Sequence, residues 1–163
     1  MANTRDLSDL DRIDRRILAI LQADGRISNK ALAERVHLSA TPCLERVRRL
    51  EREGFIAGYV AVLDAQKLEA GLIAFIEVSL DRTTADVFDR FRAAIAPIPQ
   101  VLECHMVAGG FDYLLKVRVA DMARYRRFLG ETLADLPGVL QTHTYVVMEE
   151  IKSTHAIPVP GAG

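Results

Sequence analysis

The densest cationic chemistry in the chain lies in the run Thr41-Pro42-Cys43-Leu44-Glu45-Arg46-Val47-Arg48-Arg49-Leu50-Glu51-Arg52, where four arginines fall within seven residues. A guanidinium is a rigid fork of donors that stays charged at physiological pH. It matches phosphate oxygens, or the major-groove edge of guanine, with two parallel hydrogen bonds. If the run is a helix with Val47 and Leu50 turned inward, Thr41, Pro42, Glu45, Arg48, Arg49 and Arg52 face outward. Residues early in such a helix reach base edges, and later arginines reach phosphates. Arg26, Ser28, Asn29 and Lys30 lie beside the preceding helix and are placed for phosphate contact. With Ser39 and Arg46 they complete a candidate duplex-binding set. The plain alternative is a solvated face laced by i,i+4 pairs, for which Glu45 with Arg49 has the spacing.

A second cluster is Gly109-Gly110-Phe111-Asp112-Tyr113. Two glycines let the backbone take positive φ and come close to a ligand. Asp112 has the charge to hold an ammonium group, and the neighbouring amides suit a carboxylate. A hairpin turn accounts for the same residues without any ligand. His105 and His143 occupy equivalent positions in a weak repeat and could approach each other on neighbouring strands. Without a carboxylate or cysteine partner, they read as structural or surface groups. The sequence contains no GxxxxGK[ST], GxSxG or HExxH, and no paired acid/base carboxylates stand out. Cys43 and Cys104 form no CxxC, which fits two packing thiols in a reducing cytoplasm.

The elements that must position these residues fall into two halves. Leu10, Ile13, Ile17, Ile20 and Leu21 recur at helical spacing up to Asp24-Gly25. Ser28 is placed to cap a short second helix carrying Leu32, Ala33 and Val36. His37-Leu38-Ser39 breaks the pattern, and a third helix capped by Ser39 or Thr41 runs to Gly54. Three helices with a tight second connection fit a helix-turn-helix, with a wing strand expected over 55–63.

Beyond a polar linker at 64–71 the period changes to that of strands. Ile98-Pro99-Gln100-Val101-Leu102-Glu103-Cys104-His105 resembles Leu136-Pro137-Gly138-Val139-Leu140-Gln141-Thr142-His143. Each copy follows an amphipathic helix, and each helix follows a strand, Leu72 to Leu80 and Tyr113 to Val119. The order βαβ given twice is a ferredoxin-like βαββαβ sandwich, so the whole is α+β. The expected division is a winged helix-turn-helix domain at 1–63, the linker at 64–71, the sandwich at 72–152 and a flexible tail at 153–163. Ile73, Phe75, Leu114 and Val147 sit on the sheet parity opposite the helices. A second copy is the simplest cover for them, giving at least a homodimer.

Formal net charge is −1, with half the residues apolar and 26% charged. Bulk charge therefore does not signal nucleic acid, and any duplex contact must be local. The N-terminal stretch is polar, and no apolar run approaches the ~20 residues of a membrane span, so no membrane partner is expected.

Asp9-Leu10-Asp11-Arg12-Ile13-Asp14-Arg15, Asp24-Gly25-Arg26-Ile27-Ser28-Asn29 and the arginine-rich run together resemble the Lrp/AsnC family. Phe111-Asp112-Tyr113-Leu114-Leu115-Lys116, Leu129-Gly130-Glu131-Thr132-Leu133 and Thr144-Tyr145-Val146-Val147-Met148-Glu149-Glu150 continue the likeness, which covers about residues 9–152. The resemblance implies an activator or repressor that binds double-stranded DNA. It implies a homodimer formed through the sheets, assembling into octamers or more, and a small amino acid held between dimers. Leucine is the first expectation for that effector, and no other cofactor is implied. Carried over by position, the effector-response residues are Met106, Asp112, Met122, Tyr145, Val146 and Val147. Gly109 and Gly110 match the ligand-facing loop, with Phe111 and Tyr113 beside them. Two features depart from the family pattern: glycine at 110, where many relatives are acidic or polar, and a thin basic arm with Arg5 alone before Arg12. The competing readings are a nucleoid-organising protein with no effector and an enzyme resembling tetrapyrrole decarboxylases.

Overall fold

The computed structural model describes residues 9–162, so the arm carrying Arg5 lies outside the described residues. The chain divides into two compact units, one from residues up to Val62 together with those from Lys152 onward, the other Leu63–Ile151.

In the first unit, helix α1 (Arg12–Ala23) begins at Asp11. The Asp14 N–H donates to Asp11 Oδ1 at 2.8 Å, and the Asp11 N–H donates to Asp14 Oδ2 at 3.2 Å. This is a reciprocal cap built from two aspartates, and it satisfies two N–H groups that a helix start leaves unpaired. Helix α2 (Asn29–Arg35) is capped by Ser28, whose hydroxyl accepts from the Ala31 N–H at 3.2 Å. It stops because His37 turns left-handed, with φ of 57°, and the Leu38 N–H reaches back to the Ala33 carbonyl at 2.9 Å. A left-handed residue closing a helix satisfies its last carbonyls and reverses the chain sharply. Helix α3 (Ala40–Arg52) follows from Ser39, which makes no side-chain cap bond. Leu10, Ile17, Leu32, Ala33, Val36, Cys43 and Leu50 form one buried cluster, with Phe55 and Ile56 packed on it.

Two expectations fail here. Residues 57–63 carry no strand pairing, and Tyr59, Val60, Val62 and Leu63 are exposed. Their alternating pattern marks a segment able to form a strand. A strand needs a hydrogen-bonded neighbour, and the described residues place none beside it. The tail, read as frayed, meets α1 instead. The Ile157 N–H donates to Gln22 Oε1 at 2.6 Å, and Gln22 Nε2 donates to the Ile157 carbonyl at 2.8 Å. Arg15 Nη1 also donates to the Pro160 carbonyl at 3.3 Å.

The second unit is an antiparallel sheet with strand order β2-β3-β1-β4, built in the order β1 (Leu72–Leu80), α4 (Ala85–Ile95), β2 (Val101–Met106), β3 (Tyr113–Val119), α5 (Met122–Phe128) and β4 (Val139–Val146). This is the expected βαββαβ sandwich. Both copies of the sequence repeat make the same turn into a strand. The Val101 N–H donates to Ile98 O at 3.1 Å, and the Val139 N–H donates to Leu136 O at 3.3 Å. In the second copy Gly138 has φ of 78°, and a Cβ there would stand 2.7 Å from Val87 Cγ1. Glycine alone fits that turn.

Ala74, Ile76 and Val78 of β1, with Leu115 and Val117 of β3, face the helices and are fully buried against Val87, Phe91 and Ile95 of α4 and Tyr125 and Phe128 of α5. After Phe128 the helix widens by one residue per turn over Leu129–Leu133, which keeps Leu133 in the core. Tyr113 stacks on Phe91 at a centroid distance of 4.5 Å, with Phe88 edge-on at 6.1 Å. Its buried hydroxyl has no hydrogen-bond partner among the described residues. Tyr113→Phe keeps the ring stack and removes an unpaired buried polar group. It is expected to leave the unfolding free energy unchanged or raise it by up to about 1 kcal/mol in urea titration. A loss above about 2 kcal/mol would mean the hydroxyl makes a structural bond.

Candidate DNA interface and effector site

The four arginines of α3 divide into two pairs. Arg48 and Arg52 are exposed, as are Thr41 and Glu45, and they share the outer stripe of the helix. Neither Arg48 nor Arg52 has an ion pair among the described residues. Arg46 and Arg49 turn back toward α1. Arg46 Nη1 lies 2.6 Å from Asp11 Oδ2 and 2.9 Å from Asp14 Oδ1, and Arg49 Nη2 lies 2.5 Å from Asp14 Oδ2. The expected outward placing of Arg49, and its pairing with Glu45, are therefore corrected, and Arg46, expected in the duplex-binding set, is held against α1. At 1% exposure Asp14 is cut off from solvent, so the two guanidiniums, with the Asp11 N–H, take the place of water around its charge.

The pKa directions agree with this geometry. Hydrogen bonding to Asp11, then to Asp14, holds the Arg46 guanidinium above its ordinary value, and hydrogen bonding to Asp14 does the same for Arg49. Burial pushes the Asp11 carboxyl up. The Asp14 N–H and the Arg46 guanidinium outweigh it and hold that carboxyl below the usual range. Its stabilising contribution is thus present above the unfolded carboxyl pKa and is lost as pH falls through the lowered value.

The residues around α2 also differ in role. Asn29, expected on phosphate, donates through Nδ2 to the Ala40 carbonyl at 2.8 Å and ties α2 to the start of α3. The Ser28 hydroxyl is occupied as a cap. Arg26 and Lys30 are exposed, Ser39 is exposed at the helix start, and Pro42 is half-buried in the first turn.

The structure separates the effector-response residues along the sheet. Met106 pairs with Tyr113, which pairs with Val78. At that same end the Asp112 N–H donates to the Val78 carbonyl at 3.0 Å, and Asp112 Oδ2 accepts from the Leu80 N–H at 2.7 Å. Tyr145 and Val146 instead pair with Phe75 and Ala74, and the Val147 N–H donates to the Ile73 carbonyl. Met122 opens α5, just past Val119, the partner of Leu72. Along β1 the second group lies about 10 Å from the Val78 level at Tyr145 and about 20 Å from it at the Leu72 level beside Met122, at the ordinary strand rise, and Met106 and Tyr145 are also on opposite edge strands. Met106, Met122, Tyr145 and Val146 expose between 42% and 60% of their surface, whereas Tyr113 is buried at 2%.

Three local expectations are corrected. Tyr113 is a core ring stacked on Phe91, where an exposed group of the glycine loop was expected. One oxygen of Asp112 is committed to closing the end of β1. Gly109 and Gly110 have no positive φ and open space where a side chain would stand. The histidines are also further apart than neighbouring strands allow, since β2 and β4 are the two edges of the sheet. His105 lies 3.2 Å from Glu103, and His143 lies 4.0 Å from Glu77. Among the described residues no group of three His, Cys, Asp or Glu side chains is arranged for a metal, and no helix is long and apolar enough to cross a membrane.

Sequence reasoning missed Asp14, Gln22 and the left-handed His37. Asp14 carried a usable signal, because Asp11-Arg12-Ile13-Asp14 has the spacing of a capping box.

A helix-turn-helix joined to a four-stranded sandwich defines a DNA-binding regulator with a separate ligand-binding unit. Residues 10–57 match the winged helix-turn-helix DNA-binding family, and residues 73–157 match the Lrp/AsnC ligand binding domain. The leucine-responsive regulatory protein of Salmonella typhimurium is 59% identical over 151 residues, covering 93% of this chain and 92% of that protein. A transcriptional regulator of Neisseria meningitidis in complex with L-Met superposes with a TM-score of 0.88 at 39% identity, covering 93% of this chain and 97% of the other. An AsnC family transcriptional regulator from Agrobacterium tumefaciens gives 0.87 at 34% identity, covering 91% and 97%. The chain belongs to the Lrp/AsnC family of transcription regulators.

Arg48→Ala is expected to weaken specific duplex binding by about 1–3 kcal/mol with no change in melting temperature, measured by fluorescence anisotropy on selected and scrambled duplexes. An equal loss on both would assign Arg48 to phosphate.

Proposed function

We propose that this regulator acts on amino-acid metabolism genes and responds to a small amino acid bound between dimers, leucine being the first candidate. The observation that carries the reading is the spread of two groups over the sheet: Met106, on the edge strand β2 with Asp112 at the Val78 end of β1, lies about 14 Å across the sheet from Tyr145 and Val146 on the other edge strand, β4, and Met122 follows the strand that ends beside Leu72. A molecule the size of an amino acid cannot span that distance, so a site using both groups must draw them from different copies. The face of the sheet opposite α4 and α5 bears Phe75, Leu114 and Tyr145, which stand outside the core those helices close. That supports a homodimer, and dimers assembling further, to an octamer or beyond, would bring the two groups together. The names of the leucine-responsive relative and of the L-Met complex support the ligand class.

In this reading ligand favours one assembly over another. Assembly sets the spacing of the α3 helices, and spacing decides which DNA arrangements are held at several points at once. The domain roles, with 64–71 as linker, and a place in the cytoplasm on the nucleoid belong to the same proposal. So does a non-enzymatic role, since His105 and His143 sit on opposite sheet edges beside glutamates and converge on nothing.

A thermal-shift screen of the twenty amino acids, paired with sedimentation velocity, tests it. One or a few amino acids should raise the melting temperature and shift the assembly together. A chain that binds none of them would be a nucleoid-organising protein instead. Asp112→Asn keeps an acceptor for the Leu80 N–H while removing the charge. It is expected to cut amino-acid affinity about tenfold or more, by the usual strength of a charged hydrogen bond, with apo DNA binding intact. Unchanged affinity would remove Asp112 from the site.

A further inference from the structure

We infer that Asp14 is a specificity-determining residue of the DNA-binding unit, acting by withholding Arg46 and Arg49 from the phosphate backbone. The inference rests on α3 being the DNA-reading helix. Asp14 is 1% exposed, yet both its oxygens hold guanidiniums, Arg46 at 2.9 Å and Arg49 at 2.5 Å, and Asp11 adds a second grip on Arg46 at 2.6 Å. Two carboxylates and two guanidiniums leave this cluster neutral. The first turn of α1 is a favourable place for such charge, since a helix N-terminus stabilises an anion.

Arginines that meet phosphate add affinity to every duplex alike, each steepening the salt dependence of binding by about 0.9 in log–log slope. Four outward arginines would make α3 a strong and indiscriminate polyanion binder. With two committed to α1, the exposed guanidiniums are Arg48 and Arg52, and a larger share of binding falls to contacts made in the groove. The same clamp joins α3 to α1 on the side away from the outer stripe, so it also fixes the rotation at which Arg48 is presented.

The test measures salt dependence per DNA-binding unit on two probes, a duplex selected from a randomised pool by the wild-type protein and its scrambled counterpart. Asp14→Asn keeps the shape and removes the charge. It is expected to steepen the slope on the scrambled duplex by about 1–2, as one or two arginines reach phosphate. The preference for the selected duplex should fall about tenfold or more, this being an order-of-magnitude expectation from the same release. An unchanged slope in a folded variant would overturn the inference.

Removing a buried charge can unfold the unit, so Arg49→Gln supplies the second arm. It leaves Asp14 paired with Arg46. If Arg49 is withheld, the wild-type slope is retained, and a slope shallower by about 0.9 would place Arg49 on phosphate and sink the inference. If the wild-type protein selected no duplex at all, the DNA-binding assignment would fall first, which separates the two failures.

Discussion

A β-sheet has two faces, and the helices of the second unit cover one. α4 and α5 close over Ala74, Ile76, Val78, Leu115 and Val117, and that core accounts for the stability of the second unit. On the opposite face the strands present Phe75 and Leu114 beside a polar row in which Glu103 is bridged to Lys116 at 3.1 Å and Glu77 faces His143. Such a surface is too apolar to be indifferent to a neighbour and too charged to accept any neighbour. Charge pattern on a partly apolar face fixes register between copies more than it adds affinity. The proposed regulation depends on this incompleteness, because a unit whose surfaces were all satisfied would have no assembly for a ligand to bias.

The DNA-binding unit solves a related difficulty by other means. Its helices are short, and α2 has only seven residues, so propensity alone cannot hold them. The apolar cluster around Ile17, Cys43 and Leu50 does most of that, while polar ties set the angles. Asn29 fixes α2 to α3, and Asp11 and Asp14 fix α1 to α3. A buried ion pair adds little net stability compared with an apolar substitute. Its geometric demands are strict, which suits a helix that must present its outer side chains at a defined angle.

The architecture was legible from the sequence because it rests on periodicity. Strands at Leu72 to Leu80 and Tyr113 to Val119 emerged with the boundaries the structure shows. The repeated Ile-Pro-Gln-Val and Leu-Pro-Gly-Val turns gave the double βαβ order. What escaped was whatever depends on a partner far along the chain. Arg46 and Arg49 look like Arg48 and Arg52 until Asp14, some thirty positions earlier, is placed beside them. Tyr113 lies in a loop-like motif but stacks on Phe91 of a helix. The segment at 57–63 has the alternation of a strand and no neighbour to pair with. Asp112 looked free for a ligand because nothing local shows that the Leu80 N–H needs it.

The contact between Gln22 and Ile157 has a consequence for how the protein is made. Synthesis delivers α1, α2 and α3 first, and they can close their apolar cluster while the sandwich is still emerging. The residues that fasten onto α1 arrive only after the whole second unit has left the ribosome. The DNA-binding unit is thus finished by residues that follow the whole sandwich, and the side of α1 they meet stays bare until those residues have been made.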